Sequence, residues 1–155
     1  MLPFSEQFYV GDRVDVLAKL IEVYKYQSVR AVSFVLADLL NEVIAGDYVL
    51  VPLPTIRRHI RERGFDHILK ICSKMDRITE RIIVRVNNSA QVGASVAQRK
   101  SQASSAYLAK ECNLDKKYLL VDDVWTTGSS MLAACEAMRK VGAKNLAIAV
   151  IARSR

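Results

Sequence analysis

Two adjacent carboxylates, Asp122 and Asp123, end the apolar run "YLLV", and after Val124 and Trp125 come five small residues, Thr126, Thr127, Gly128, Ser129 and Ser130. The small residues are suited to an anion. A helix opening near Ser129 leaves its first backbone N–H groups without intrahelical partners, and the helix dipole adds positive character there. Gly128 lets the backbone come close to a ligand or take a positive φ. The hydroxyls of Thr126, Thr127, Ser129 and Ser130 add donors. A lone hydroxyl at such a place is more simply a helix cap; four around a glycine favour a phosphate monoester. The two acids would repel a bare phosphate. They make sense if the ligand carries hydroxyls beside its phosphate, as a ribose 5-phosphate does, because ionised carboxylates accept hydrogen bonds strongly. They also make sense if positive charge develops on the ligand, or if Mg²⁺ is near. Taken without the loop, an Asp-Asp pair is a turn or a surface feature. Neither G-x-x-x-x-G-K-[ST] nor G-x-G-x-x-G occurs among the six glycines, which excludes the P-loop and the dinucleotide fingerprint.

Such a loop needs a strand before it and a helix after it. "KYLLVDDV" (117–124) reads as the strand, and 129–141 as the helix, with Met131, Leu132, Cys135 and Met138 inward and Gly142 closing it. Residues 12–25 place Val14, Leu17, Leu20, Ile21 and Tyr24 on one helical face, with Asp12 as the cap. Residues 30–45 repeat the pattern with Phe34, Val35, Leu36, Leu39, Leu40 and Val43, and Gly46 stops it. Short apolar strands are expected at 48–53, 81–86 and 145–152, with a basic helical stretch at 57–63 and a helix over 65–75. The polar, small-residue segment 87–105 is a loop or partly helical flap, since it can bury little area. Continuous apolar strands separated by helices indicate an α/β fold: a single domain with a mainly parallel twisted sheet and helices on both faces. Ligands bind such sheets at the C-terminal ends of strands, where 118–130 lies.

The bulk numbers agree. A chain of 155 residues, 51% hydrophobic and 25% charged, suits one globular domain. Cys72, Cys112 and Cys135 are scattered, which argues against a zinc site or disulfide framework and fits a reducing, cytoplasmic setting. No secretory signal or membrane span is expected. The net charge of +7 favours polyanionic partners, phosphorylated metabolites or nucleic acid. Direct nucleic-acid binding through 57–63 is the weaker expectation, because there is no helix-turn-helix signal and no cluster of stacking aromatics.

The thirteen residues "YLLVDDVWTTGSS" resemble the phosphoribosyl-pyrophosphate (PRPP) signature of type I phosphoribosyltransferases, with Trp125 bulkier than usual. "VPLPTIRRHIRERGFDH" (51–67), "NSAQVGASVAQRKSQASSAY" (88–107) and "YKYQ" (24–27) resemble elements of the ComF-type branch, named for competence protein F. The likeness covers about residues 20 to 152. Asp66-His67 stands where that branch has Asn-Gln, Asn88 for Thr, Ala94 for Leu, Gln102 for Asn and Tyr107 for Phe. No zinc-ribbon C-x-x-C pairs occur, so the resemblance is to the catalytic domain.

The resemblance implies the type I phosphoribosyltransferase fold, with a helical N-terminal segment or hood over 1–45 and a core over 46–155 in one compact domain. It implies a Mg²⁺-dependent enzyme that uses PRPP and displaces pyrophosphate from the anomeric carbon with a nitrogen nucleophile. The 5-phosphate would sit on Thr126 to Ser130, and Asp122 and Asp123 would meet the ribose hydroxyls as catalytic residues. Mg²⁺ would be held largely by PRPP, with Asp122 and Asp123 as the protein's contribution. Pyrophosphate would lie on the loop of Leu53, Pro54, Thr55 and Ile56, with Arg57 and Arg58 supplying charge, and Arg99 and Lys100 would reach it from a closing 87–105 lid. A homodimer is implied. The acceptor and a general base are not named by the sequence. The alternative is a non-catalytic PRPP- or nucleotide-binding regulator, or a DNA-uptake accessory protein. On this reading Asp123→Asn weakens PRPP use far more than folding.

Overall fold

The computed structural model describes residues 1–27, 29–86 and 106–154. The order of elements is β1 (Glu6–Asp12), α1 (Asp15–Tyr26), α2 (Val32–Val43), β2 (Val49–Pro52), α3 (Arg57–Arg63), α4 (His67–Ser73), β3 (Ile83–Arg85), β4 (Tyr107–Ala109), β5 (Lys117–Trp125), α5 (Ser129–Lys140) and β6 (Asn145–Arg153). Four strands form a parallel sheet in the order β1-β6-β5-β2, and β3 and β4 form a separate antiparallel ribbon. The chain is α/β with a mainly parallel sheet and helices on both faces, as the strand pattern indicates.

Alternation along β5 and β6 feeds two apolar layers. Tyr118, Leu120, Leu146, Ile148 and Val150 pack with Met131, Ala134, Cys135 and Met138 of α5 and with the ribbon's Ile83 and Tyr107. On the other face Leu119, Val121, Ala147 and Ala149 pack with Ile21 and Tyr24 of α1, Leu36 and Leu40 of α2, and Ile68 and Ile71 of α4. Both central strands are buried on both faces, which is why they read as unbroken apolar runs. The segment 117–125 is thereby clamped from both sides, and its last residues emerge at the C-terminal edge of the sheet.

Three elements differ from expectation. The fourth strand of the sheet is β1, not 81–86. β1 is an edge strand with only Phe8 and Val10 facing the core, while Tyr9 is exposed under Arg153 at 3.6 Å, so its apolar signal is thin. Residues near 80 touch the sheet at one bridge, Thr79 beside Leu50, before the chain turns into the ribbon. Asp12 ends β1 and pairs in register with Arg153; α1 begins three residues later, and no side chain caps it. In α2, Phe34 and Val35 are exposed, and the buried stripe is Ser33, Leu36, Ala37 and Leu40. No described helix is long and apolar enough to cross a membrane. The expected 87–105 flap, with Arg99 and Lys100, lies outside the described residues.

Candidate active site

Asp122 and Asp123 lie near the C-terminal end of β5, just before Val124 and Trp125, and residues 126–128 link that strand to α5. Gly128 is the N-cap residue of α5 with φ of 80°, and no side chain caps the helix. The Ser129 N–H donates to Thr127 Oγ1 at 3.4 Å, and the next opening N–H groups of this twelve-residue helix are left to a ligand or to water. Glycine is required here twice over: a Cβ would meet the Trp125 ring at 2.3 Å, and the backbone is left-handed. Trp125 is held in turn edge-on against Phe4, with centroids 6.2 Å apart. Thr127 Oγ1 and Ser129 Oγ lie 2.8 Å apart at the loop's mouth. Thr126, Thr127, Gly128, Ser129 and Ser130 line a small cavity of about 60 Å³ that Asp122 also borders.

Asp122 borders a second cavity as well, of about 190 Å³, lined by Asp123, Lys25, His67, Arg63 and the loop Leu53–Ile56. That loop is brought alongside β5 by the Leu53 N–H, which donates to the Val121 carbonyl at 2.9 Å. So Pro54 and Thr55 join the two acids across one pocket, as their position after β2 implies. Arg57, Arg58 and Arg61 face away from it, into a neighbouring cleft on the other side of the loop.

The two carboxylates differ sharply. Asp123 is buried and has a full set of partners. Its Oδ1 accepts from the Val124 N–H at 2.7 Å, and its Oδ2 accepts from Lys25 Nζ at 2.5 Å and from His67 Nε2 at 3.1 Å. The imidazole tautomer follows from its other nitrogen. Arg63 Nη1 lies 2.9 Å from His67 Nδ1, and a guanidinium only donates, so Nδ1 accepts and Nε2 carries the proton given to Asp123. Burial raises the Asp123 carboxyl, but the His67 hydrogen bond and the Lys25 charge outweigh it and hold that carboxyl well below its usual range. Asp122 accepts only the Asp123 N–H, at 2.9 Å, among the described residues. Burial and the charge of Asp123 push Asp122 up. Although half-buried, it retains open lone pairs toward both cavities.

A supporting shell fixes these groups. Tyr24 donates its hydroxyl to the His67 carbonyl at 2.5 Å, and its ring lies 5.4 Å from Phe65. Thr55 donates to Asp66 Oδ1 at 3.1 Å, and the same oxygen caps α4 by accepting from the Leu69 N–H at 3.2 Å. Asp66-His67, the pair that departs from the Asn-Gln of the branch, thus has a use for each member: one caps α4 and holds the Leu53–Ile56 loop through Thr55, the other supports Asp123.

Sequence reasoning did not single out Lys25, Arg63 or His67 as site residues. A signal was present. Lys25 follows Ile21 by four residues, and His67 precedes Ile71 by four, so each polar side chain lies along a buried stripe. A charged or polar residue on such a stripe needs a partner. That the partner is Asp123 could not be read without the packing of α1 and α4 on the sheet.

No cluster of three or more metal-ligating side chains exists among the described residues. Two adjacent acids, one already fully partnered, do not make a protein cage for a cation. They do fit a Mg²⁺ ion carried in by phosphate oxygens, for which one carboxylate such as Asp122 and several waters suffice.

Residues 65–155 match the family described as Phosphoribosyl transferase domain, a span that includes the acid pair, the loop and α5. The chain belongs to the phosphoribosyl transferase domain family. Competence protein ComFC of Bacillus subtilis (strain 168) is 30% identical over 105 residues, 61% of this chain and 40% of that protein. The chain therefore spans less than half the length of this curated relative. Both findings agree with the ComF-type resemblance.

Proposed function

We propose that the protein is a phosphoribosyltransferase that binds PRPP with Mg²⁺ and transfers its ribose 5-phosphate to a nitrogen nucleophile. The observation that carries this reading is the uncapped N-terminus of α5, with its Gly128 turn, bordering one cavity whose other wall is Asp122. The 5-phosphate takes donors from Thr126 to Ser130. Asp122, with open lone pairs, accepts from the ribose hydroxyls. Asp123 acts on the same ring from behind, as a fixed negative charge whose orientation Lys25 and His67 set.

The bond from the anomeric carbon to the pyrophosphate oxygen breaks with its electron pair leaving on pyrophosphate. The resulting oxocarbenium-like centre is stabilised by the two acids and captured by the nitrogen lone pair. Mg²⁺, when bound with PRPP, neutralises charge on the departing pyrophosphate. Pro54 and Thr55 form the floor for that group, with Arg63 and Lys25 as the nearest cations, Arg57 behind the loop, and Arg99 and Lys100 as contacts from the lid segment. A nitrogenous acceptor and a homodimeric assembly belong to the same reading.

The test is a calorimetric titration with PRPP and Mg²⁺, followed by pyrophosphate release with a panel of nucleobases and ammonia. Binding with release supports the transferase. A second reading, a non-catalytic PRPP-binding regulator in the competence setting that the relative's name suggests, is favoured by one observation: both oxygens of Asp123 are engaged without substrate. It predicts PRPP binding with no release for any acceptor.

A further inference from the structure

A cleft larger than the pocket of the acid pair lies elsewhere on the molecule. It lies on the far side of the Leu53–Ile56 loop, has a volume of about 680 Å³, and runs between α3 and the β3-β4 ribbon. Six cations line it: Arg57, Arg58 and Arg61 from α3, Arg81 and Arg85 from the ribbon's first strand and its approach, and Lys110 just after β4. Within the ribbon wall the Lys110 N–H donates to the Ile82 carbonyl at 2.9 Å, which brings Lys110 close to Arg81.

Among the described residues the only acid lining this cleft is Asp66, and its Oδ1 already serves Thr55 and the Leu69 N–H. Arg58 has a loose pair with Glu62 at 3.6 Å, and Arg85 donates to the Tyr107 hydroxyl at 3.0 Å. The side chains of Arg57, Arg61, Arg81 and Lys110 have no ionic or hydrogen-bond partner among the described residues. Arg57 and Arg61 stand four residues apart on one helix, a spacing at which like charges destabilise. A fold that faces unpaired cations at one another across a concave groove loses stability unless an anion offsets them.

The lining also limits the kind of anion. The volume is in the range of small-molecule sites. No aromatic side chain among the described residues lines the cleft, whereas the acid pocket has Tyr26 and Tyr107. The cleft therefore offers nothing for a base to stack on, which single-stranded nucleic acid uses heavily. Guanidinium forks do match phosphate oxygens.

We propose that this cleft is a second anion site, separate from the acid pocket, that binds a compact polyphosphate: an inorganic chain or the tail of a nucleoside triphosphate. The site stands whether or not the acid pocket is a PRPP site. Loading it would neutralise the wall behind Pro54 and Thr55, which the two sites share.

The test is a calorimetric titration of the full chain with inorganic tripolyphosphate and with ATP, at low and physiological salt. The comparison variants are Arg61→Gln with Arg81→Gln, and Asp122→Asn. Both arginines are exposed, and a thermal melt checks that the double variant is folded. The expected result is tripolyphosphate binding that weakens roughly tenfold or more in the double variant, as charge-assisted contacts are lost. Binding should be unchanged in Asp122→Asn and should survive saturating PRPP. Equal affinity for ATP assigns the site to any polyphosphate tail, and tighter ATP binding assigns it to a nucleotide; either supports the site. No binding at millimolar tripolyphosphate overturns it, as does full displacement by PRPP or equal loss in Asp122→Asn. Tighter binding of a single-stranded oligonucleotide than of tripolyphosphate, lost in the double variant, overturns it in favour of nucleic acid. A failure of PRPP to bind at all bears on the transferase reading alone.

Discussion

Lys25→Met tests the buried pair that holds Asp123. Lys25 Nζ lies 2.5 Å from Asp123 Oδ2, with the two side chains only 17% and 12% exposed. Methionine keeps the apolar stem and removes the charge, leaving a buried carboxylate with one partner fewer. Breaking such a pair costs about 3–5 kcal/mol. The His67 and Val124 donors stay in place, so about 3 kcal/mol is the expected loss at pH 7, or about 6–12 °C in melting temperature for a chain of this size. The pH dependence has a definite sign. In the native protein the Asp123 carboxyl is held below its unfolded value, so its contribution is complete above the unfolded pKa of about 3.9 and fades as pH falls through the lower folded value. In the variant the folded value rises, the penalty is largest at neutral pH, and protonation relieves it. Denaturant melts at pH 7 and pH 4 should therefore show the gap between wild type and variant shrinking on acidification. A loss under about 1 kcal/mol, or one constant over that range, would refute the claim that Lys25 neutralises a buried charge.

Asp122→Asn should cost the fold nothing at neutral pH and should stabilise it as pH rises. Burial and Asp123 raise this carboxyl, so wild type loses stability as pH climbs from the unfolded value toward the raised folded one; the variant's melting temperature should be flatter over the same range. Asp123→Asn, expected from the sequence to weaken PRPP use far more than folding, should also destabilise by roughly 3 kcal/mol, because it leaves Lys25 without its carboxylate partner; equal melting curves would contradict this. His67→Gln keeps a donor for Asp123 and an acceptor for Arg63 and should melt within about 1.5 kcal/mol of wild type, whereas His67→Ala should lose about 1–3 kcal/mol; identical melts for the two would remove His67 from the network. Gly128→Ala drives a Cβ into Trp125 and strains a φ of 80°, so PRPP affinity should fall at least about tenfold in titration while stability drops by about 1–3 kcal/mol.

The sequence made the 126–130 loop legible because its signal is local. A buried strand, two acids, small hydroxyl residues, a glycine and a helix start all fall within thirteen positions, and the structure puts them where such a strand-to-helix junction must be. The central strands were legible for a similar reason: β5 and β6 are buried on both faces, so hydrophobicity alone marks them. What stayed hidden was non-local. β1 is an edge strand whose identity depends on pairing with β6, 141 residues away at Glu6 and Ala147, so neither its pattern nor its composition separates it from a loop. The support of Asp123 needs α1, α3 and α4 to converge, and each contributes a single residue. Arg57 and Arg58 read as pyrophosphate contacts because they follow the right loop, yet the start of α3 turns them to the opposite side of it.

The most direct test of the central claim is a calorimetric titration with PRPP and Mg²⁺, repeated with Gly128→Ala and with ribose 5-phosphate as competitor. Saturable PRPP binding, displaced by ribose 5-phosphate and weakened by the loop variant, is the predicted result. No heat of binding at millimolar PRPP in a folded protein, or binding indifferent to Gly128, would contradict it.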